Sequence, residues 1–305
     1  MVKPIDIHTH PFTEETVFGH GPSYHEAHAW FGAHPDSPSH DWAAHRKVKS
    51  IETMAQQLKD AGMDRAVIVN MVSCHFWAGS LPNDFIAKYC RQFPDLFIGF
   101  GGVDPHIDKR AALREVERCK KELGLVGLKF HPAYQNFYPN DRERAYPIWE
   151  KCVEMDMPVL VHTGTTRMTR STIRTCKPEY LDEVATDFPE LRIIMTHFNW
   201  PWVDEGLAVV WRHENLYLDM SGWMPRYIYA TSPIVFQYMN TFLQDKMVFG
   251  SDYPALNPRI WLDDFQTFVD NGFEWGGKRR TFKPGVLDKF LRKNAIRALK
   301  LKGLE

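Results

Sequence analysis

The sequence predicts an α/β fold in which one (β/α)8 barrel takes up the whole chain, residues 1–305. Three observations lead there. Eight short runs of β-branched and aromatic residues recur along the chain, each nearly continuous in apolar residues, as parallel strands covered on both faces are. Stretches of helical period lie between them. The chain is also long enough for one large core, with 44% hydrophobic residues, while no Gly-x-Gly-x-x-Gly follows the first run to mark a dinucleotide-binding half.

Taken in order, the first strand is expected at 5–10 and carries Asp6-Ile7-His8-Thr9-His10. Residues 11–49 follow it, rich in His, Pro, Gly and aromatics and without a period. Loops of this length are uncommon unless functional. One placed after the first strand lies over the mouth where barrel active sites form, so 11–49 reads as a lid or substrate wall inserted into the single domain. A helix at 51–61 is closed by Gly62, a natural C-cap. Strands at 65–71 and 97–103 come next, then a helix at 108–123 closed in the same way by Gly124. The strand at 126–130 is paired with a helix at 142–155, the strand at 158–163 with 178–188, and the strand at 192–197 with 201–213. The strand at 216–220 precedes a helix at 233–243. The last strand, 247–251, is followed by helices at 260–271 and 285–300.

Composition excludes several functions. Net charge is −1 and no long run of like charge occurs, so neither nucleic acid nor an acidic membrane surface is an expected partner. No stretch approaches the roughly 20 apolar residues of a membrane span, and the first residues lack a signal-peptide core. The five cysteines stand singly, without a Cys-x-x-Cys and odd in number, which points to a reducing, cytoplasmic setting. Fourteen histidines and ten tryptophans exceed what packing asks for.

The histidines fall where chemistry is expected. Side chains alternate along a strand, so His8 and His10 project to one side and make half of a divalent-metal site. His162 ends the fifth strand, His197 the sixth, and Asp252 follows the eighth in Gly250-Ser251-Asp252-Tyr253-Pro254. Strand ends of a barrel converge on one mouth. A single histidine ending a strand is usually structural; four, with an aspartate, at four strand ends are not. Neutral imidazoles and a carboxylate suit Zn²⁺, with Mn²⁺ or Fe²⁺ as alternatives. Asp252 can ligate or take a proton, and His197 has a titration range suited to proton transfer near neutrality. Asp6, two before His8, either orients an imidazole or is an ordinary strand-start acid. Lys129 ends the fourth strand, and His131 faces the mouth or caps a loop. Around the mouth Cys74, His75, Asn199, Trp200, Ser221, Trp223 and Arg226 are substrate-facing candidates. The tryptophans suit a flat, partly apolar molecule or simply pack loop on barrel, and Arg226 or Lys129 suits a carboxylate.

His8-x-His10, His162, His197 and the Gly-Ser-Asp-Tyr-Pro box together resemble the amidohydrolase superfamily. More narrowly, the chain is similar to the amidohydrolase-related branch that includes aminocarboxymuconate semialdehyde decarboxylase. The resemblance covers essentially the whole chain. It implies a distorted (β/α)8 TIM barrel, one divalent metal held by His8, His10, His162 and Asp252, and His197 as the acid/base acting on the metal's water. Lys129, which is carbamylated in binuclear members, then becomes a contact for a substrate carboxylate or carbonyl. A homodimer is implied as well. The first function expected is hydrolysis at a carbonyl of a small carboxylate-bearing or aromatic substrate. The alternative is non-oxidative decarboxylation of an unsaturated or aromatic acid on the same site, although aromatic-acid decarboxylases of the branch commonly begin Glu-x-His where this chain has His8-Thr9-His10. Hydration of a diene acid is a third chemistry, and a catalytically silent metal- or ligand-binding barrel the non-enzymatic reading.

Overall fold

Eight parallel strands pair strictly in chain order, β1 with β2 and onward to β8, in a computed structural model that describes residues 2–11, 13, 16, 50–72, 81–166 and 171–304. Most of the 11–49 segment, and Cys74 and His75, lie outside the described residues. The strands are β1 (Ile5–Thr9), β2 (Arg65–Val69), β3 (Phe97–Gly102), β4 (Gly127–Phe130), β5 (Val159–Val161), β6 (Ile193–Met195), β7 (Leu216–Asp219) and β8 (Met247–Val248). Each was expected within a few residues of where it stands.

The barrel closes between β1 and the chain running out of β8. Ile7 N–H donates to the Phe249 carbonyl at 3.0 Å, Asp252 N–H to the His8 carbonyl at 2.9 Å, and His10 N–H to the Tyr253 carbonyl at 2.7 Å. Asp6 bolts the same seam from its side chain, Oδ1 accepting from the backbone N–H of His8 (3.1 Å) and of Ser251 (3.0 Å). The pairing of β1 with β2 slips between Asp6 and Thr9, an irregularity of the sort that re-aims side chains at barrel rims.

Two apolar layers follow from strand alternation. Ile5, Ile7, Val67, Val69, Ile98, Phe100, Leu160, Ile194 and Val248 pack together with Ala295, Ala298 and Leu299 of the last helix. They fill the barrel, and that helix plugs its floor. The opposite strand residues, such as Ala66, Ile68, Leu128, Phe130, Val161 and Met195, pack under the surrounding helices.

Those helices begin where local chemistry starts them. Ser50 caps α1 (Ile51–Asp60) by accepting from Thr53 N–H, and Asp108 caps α3 (Lys109–Lys121) by accepting from Ala111 N–H. Gly62 and Gly124, expected as C-caps, both have positive φ. The helix α2 (Asn83–Gln92) was not expected from the sequence. One position of its buried stripe is Asn83, whose amide bonds Gly102, Asn70 and Glu115 across the fold. A polar residue satisfied only by tertiary partners hides the apolar period. Short helices α4 (Pro132–Gln135) and α8 (Pro225–Thr231) were likewise unexpected, while α5 (Tyr146–Glu154), α6 (Glu179–Asp187), α7 (Val203–Arg212), α9 (Ile234–Met239) and α10 (Pro258–Asn271) match expected helices.

After α10 a two-stranded hairpin, β9 (Phe273–Trp275) with β10 (Lys278–Arg280), precedes the chain's end. The single helix expected at 285–300 is broken into α11 (Val286–Asp288), a π-turn at Lys289–Lys293 and α12 (Asn294–Leu299). The π-turn has a purpose: it sits where the Phe290 carbonyl takes the N–H of Phe249 at 3.1 Å. The floor of the barrel thereby grips the strand that carries Asp252. Among the described residues no helix is long and apolar enough to cross a membrane.

Trp149 joins the helix layer to β4: it is 1% exposed, meets Phe130 edge-on at 4.7 Å and donates Nε1–H to the Pro139 carbonyl at 2.8 Å. Trp149→Ala is expected to cost about 3–5 kcal/mol in urea unfolding. A loss under 1 kcal/mol would mean that this layer is not tightly packed.

Candidate metal centre

The closing seam does most of the assembly. By locking residues 8–10 to 252–253, it sets His10 Nε2 3.2 Å from His8 Nε2 and 3.1 Å from Asp252 Oδ1, with His8 Nε2 3.6 Å from the same oxygen. His8, His197 and Asp252 offer ligand atoms that lie within 4.8 Å of one another. His162 joins through His197, its Nδ1 standing 3.1 Å from His197 Nε2.

Ring protons can be assigned from the acceptors behind each imidazole. His8 Nδ1 faces Asp219 Oδ2 at 3.0 Å, so it carries the proton and Nε2 presents a lone pair. His197 Nδ1 faces the Ser221 carbonyl at 3.2 Å, which again leaves Nε2 bare. His162 Nε2 faces the Thr165 carbonyl at 3.1 Å, which leaves Nδ1 bare. Three lone pairs are thus turned toward one another and toward a carboxylate. Two bare nitrogens 3.1 Å apart repel unless a proton or a cation lies between them.

The spacing fits a cation. Ligands bound at about 2.1 Å with angles between a right angle and the tetrahedral one stand about 3.0–3.4 Å apart. The 3.2 Å between His8 and His10 and the 3.1 Å between His10 and Asp252 fall in that range, and the 3.6 Å between His8 and Asp252 lies just above it. Each ring's far nitrogen is held by an oxygen in three of the four cases, as metal-ligating histidines require. The residues present therefore fit one divalent ion.

Electrostatics favour the ligating protonation states. Burial pushes the His8, His131 and His162 imidazoles well below the usual histidine value. The Lys129 ammonium is the next cause for His8 and His131, and His131 the next for His162. Burial also lowers His197. It works against Asp252 as well, but the hydrogen bond from His10 and the surrounding imidazoles outweigh it and hold that carboxyl at about 2. Neutral rings and an ionised carboxylate are what a divalent ion needs.

His197 sits on unusual backbone. His197, Phe198 and Asn199 all have positive φ, at 57°, 39° and 59°, a conformation costing about 1–2 kcal/mol for each residue with a side chain. The turn is pinned at its start by His197 N–H donating to Asp219 Oδ1 at 2.8 Å. Asn199 packs flat on Gly206, where any Cβ would fall inside its amide.

The remaining candidates are placed as follows. Lys129 is buried with Nζ 3.1 Å from His8 Nε2, and burial lowers its ammonium to about 8. His131 caps α4 and is sandwiched between Tyr134 (3.5 Å between centroids) and His162 (3.7 Å, 14° between planes). His131, His162 and Cys176 also lie within 4.8 Å, but two stacked rings cannot both aim in-plane lone pairs at one ion, so this second cluster is packing. Trp200 and Trp223 pair at 4.8 Å beside the His197 turn, both half-buried. The Arg226 guanidinium is held by Asp264, at 2.9 Å from both Nε and Nη2, with its side chain 60% exposed. Asp6 bonds backbone at the seam and no imidazole. The carboxylate behind His8 is Asp219, which the sequence reading passed over because nothing local marks it: its partners are 22 and 211 positions away.

Among known proteins, the profile of the amidohydrolase family matches residues 5–301. The chain is 30% identical over 138 residues to 2-keto-4-carboxy-3-hexenedioate hydratase of a Sphingobium strain, covering 40% of each sequence. It is 36% identical over 87 residues to gamma-resorcylate decarboxylase of a Polaromonas strain, covering 26% of each. The chain spans less than half the length of either relative. Among solved structures, an uncharacterized TIM-barrel protein of Bordetella bronchiseptica superposes with a TM-score of 0.78 at 26% identity, over 97% of this chain and 98% of that one. The 5-carboxyvanillate decarboxylase of Novosphingobium aromaticivorans, solved with bound manganese, superposes with a TM-score of 0.67 over 98% and 97%; at 17% identity that likeness is one of fold.

Two outcomes test this geometry. His10→Ala and His162→Ala should each lose most of the divalent metal measured by elemental analysis, while His197→Ala should keep it. Full metal content in either of the first two would break the ligand set. In the metal-free protein, His8, His131, His162 and His197 hold fewer protons when folded than when unfolded as pH falls through about 6.5. Asp6, pushed by burial up to about 7 against its usual 3.8, does the reverse. Four imidazoles outweigh one carboxyl, so stability should fall on acidification from pH 7 to 5, by at most about 4 kcal/mol per pH unit. A urea midpoint that rises over that range would contradict the buried neutral rings.

Proposed function

The chain belongs to the amidohydrolase family, a metal-dependent enzyme family that includes hydratases and decarboxylases, and we propose that it is a carboxy-lyase removing CO2 from a small unsaturated or aromatic acid without an oxidant. The relatives favour this reading over hydrolysis. The observation that carries it is the charge pattern of the site: a buried lysine, Lys129, with its ammonium 3.1 Å from a metal-ligating nitrogen. Few small groups other than a carboxylate answer to an ammonium and a divalent ion side by side.

A divalent ion held by His8, His10, His162 and Asp252 would polarise and orient the substrate's oxygens. Lys129 pairs the carboxylate. At about 8 its ammonium is still largely charged at neutral pH. Trp200 and Trp223 offer a flat apolar wall to an unsaturated or aromatic body, and His131 backs His162, stacked on it at 3.7 Å. His197 and Asp252 handle the proton. As the bond between carbon and carboxylate breaks and its electron pair stays on carbon, a proton is delivered there from one of this pair, leaving C–H and CO2. His197 Nε2 is bare in the resting tautomer and takes the proton up before giving it. In this reading residues 1–305 are one catalytic domain. Zinc, or manganese as in the decarboxylase neighbour, is the resident ion. The enzyme works as a homodimer in the cytoplasm.

Hydration is the second reading, supported by the similarity to a hydratase over 138 residues. The same residues would add a proton and a hydroxyl across a double bond. The two part on mass. The zinc- or manganese-loaded protein, incubated with a panel of aromatic and unsaturated dicarboxylic acids, is expected to give products lighter by CO2, with turnover lowered about 100-fold or more in His197→Ala. Products heavier by water alone, or cleavage of esters and lactones alone, would overturn the carboxy-lyase reading.

A further inference from the structure

The chain leaving β7 wraps the far side of the site, and none of its own residues belongs to the ligand set. Asp219 is fully buried. Its Oδ2 accepts His8 Nδ1–H at 3.0 Å. Its Oδ1 accepts three more: His197 N–H at 2.8 Å, Ser221 N–H at 2.9 Å and the Ser221 hydroxyl at 2.6 Å. With its proton committed to Asp219, Ser221 Oγ is free to accept, and it stands 2.9 Å from His197 Nδ1 and 3.0 Å from His8 Nδ1. The Ser221 carbonyl stands 3.2 Å from the same nitrogen. Gly222 follows with φ +77°, and a Cβ there would lie 2.7 Å from His197 Nδ1. Four consecutive residues therefore form a socket for one imidazole and a strut for another.

We propose that Asp219 is a positioning residue serving both halves of the site: one carboxylate oxygen fixes the tautomer of His8 as a ligand, and the other, through Ser221 and the backbone, fixes His197 as the proton-transfer group. The proposal rests on the metal-centre reading above. Only a carboxylate meets the demand, because all four neighbours are donors. An asparagine must turn its NH2 either toward His8 or toward the other three. Turned toward His8, it drives the ring proton onto Nε2, the nitrogen that faces Lys129, His10 and Asp252. Turned the other way, it opposes the His197 N–H and both donors of Ser221. The Ser221 hydroxyl touches both rings, but with it removed His8 Nδ1 keeps the Asp219 oxygen at 3.0 Å while His197 Nδ1 keeps only the Ser221 carbonyl at 3.2 Å, so the two halves still come apart by mutation.

Three variants test this in the full chain. Asp219→Asn is expected to weaken Zn²⁺ or Mn²⁺ binding about 10–100-fold, read by competition with a chelating dye. Ser221→Ala should hold metal affinity within about twofold while kcat falls about tenfold or more at unchanged KM. Gly222→Ala should follow Ser221→Ala, since its methyl presses on the same nitrogen. A readout independent of turnover is ¹⁵N-histidine NMR of the metal-free protein, which should show His8 protonated on Nδ1 in the parent and on Nε2 in Asp219→Asn. Parental metal affinity together with an unchanged His8 tautomer in Asp219→Asn would overturn the proposal, as would equal loss of metal in Ser221→Ala. If Asp219→Asn does not fold, the Ser221→Ala and Gly222→Ala split between kcat and metal binding decides. A parent protein that binds no divalent ion would instead sink the metal-centre reading, and the tautomer measurement would still judge Asp219.

Discussion

Three backbone hydrogen bonds close the barrel, and the site depends on them. Residues 7–10 pair with 249–253, and this pairing alone brings His8, His10 and Asp252 within 3.1–3.6 Å of one another across nearly the full length of the sequence. No side chain needs to reach far. The ligands are short and near their backbones, and the backbones are locked to each other. That economy explains the reinforcement around the seam: Asp6 beneath it, the slipped register beside it, and a π-turn in the last helix that frees a carbonyl for Phe249. A barrel that closed one residue out of register would still bury its apolar layers, but it would scatter the ligands.

Burial gives the site its chemistry and makes it costly. Imidazoles withdrawn from water stay neutral, which readies them as ligands, and while the Lys129 ammonium can donate to His8 Nε2, the facing lone pairs of His162 and His197 oppose each other. A divalent ion held by the proposed ligands would relieve that opposition. Lys129 adds to this. Beside an ion its charge would be repelled, and a substrate carboxylate relieves that repulsion.

Much of this was legible in the sequence, and for a definite reason. His8, His10, His162, His197 and Asp252 each end a strongly apolar run, so strand recognition and site recognition were one act. What escaped depends on partners through space. Asp219 ends β7 as Asp252 follows β8, but a lone aspartate after Leu-Tyr-Leu carries no signal until His8 and His197 stand beside it. Helix α2 escaped because Asn83 occupies a core position that only Gly102, Asn70 and Glu115 make tolerable. Arg226 read as an available cation, and the structure pairs it with Asp264. The break in the final helix answers to a carbonyl needed by a strand forty residues earlier. Local pattern reports what a residue is; it does not report which distant group it answers to.

The division of labour between the seam and the β7 terminus follows from that distinction. Distances between ligands are a backbone property, fixed by closure and insensitive to any single side chain. Which nitrogen of each ring is bare is a side-chain property, fixed by whatever lies behind the ring. For His162 that is a backbone carbonyl, which cannot be mutated away. For His197 it is the Ser221 carbonyl with a hydroxyl in support. For His8 it is a carboxylate oxygen at 3.0 Å from Nδ1, with the Ser221 hydroxyl beside it at the same distance. A carboxylate costs more to bury than a carbonyl, so its use needs a reason. The reason lies in its second oxygen: a carbonyl could orient His8, but it could not also gather His197 and Ser221 onto the same atom pair and hold a left-handed turn against its strain.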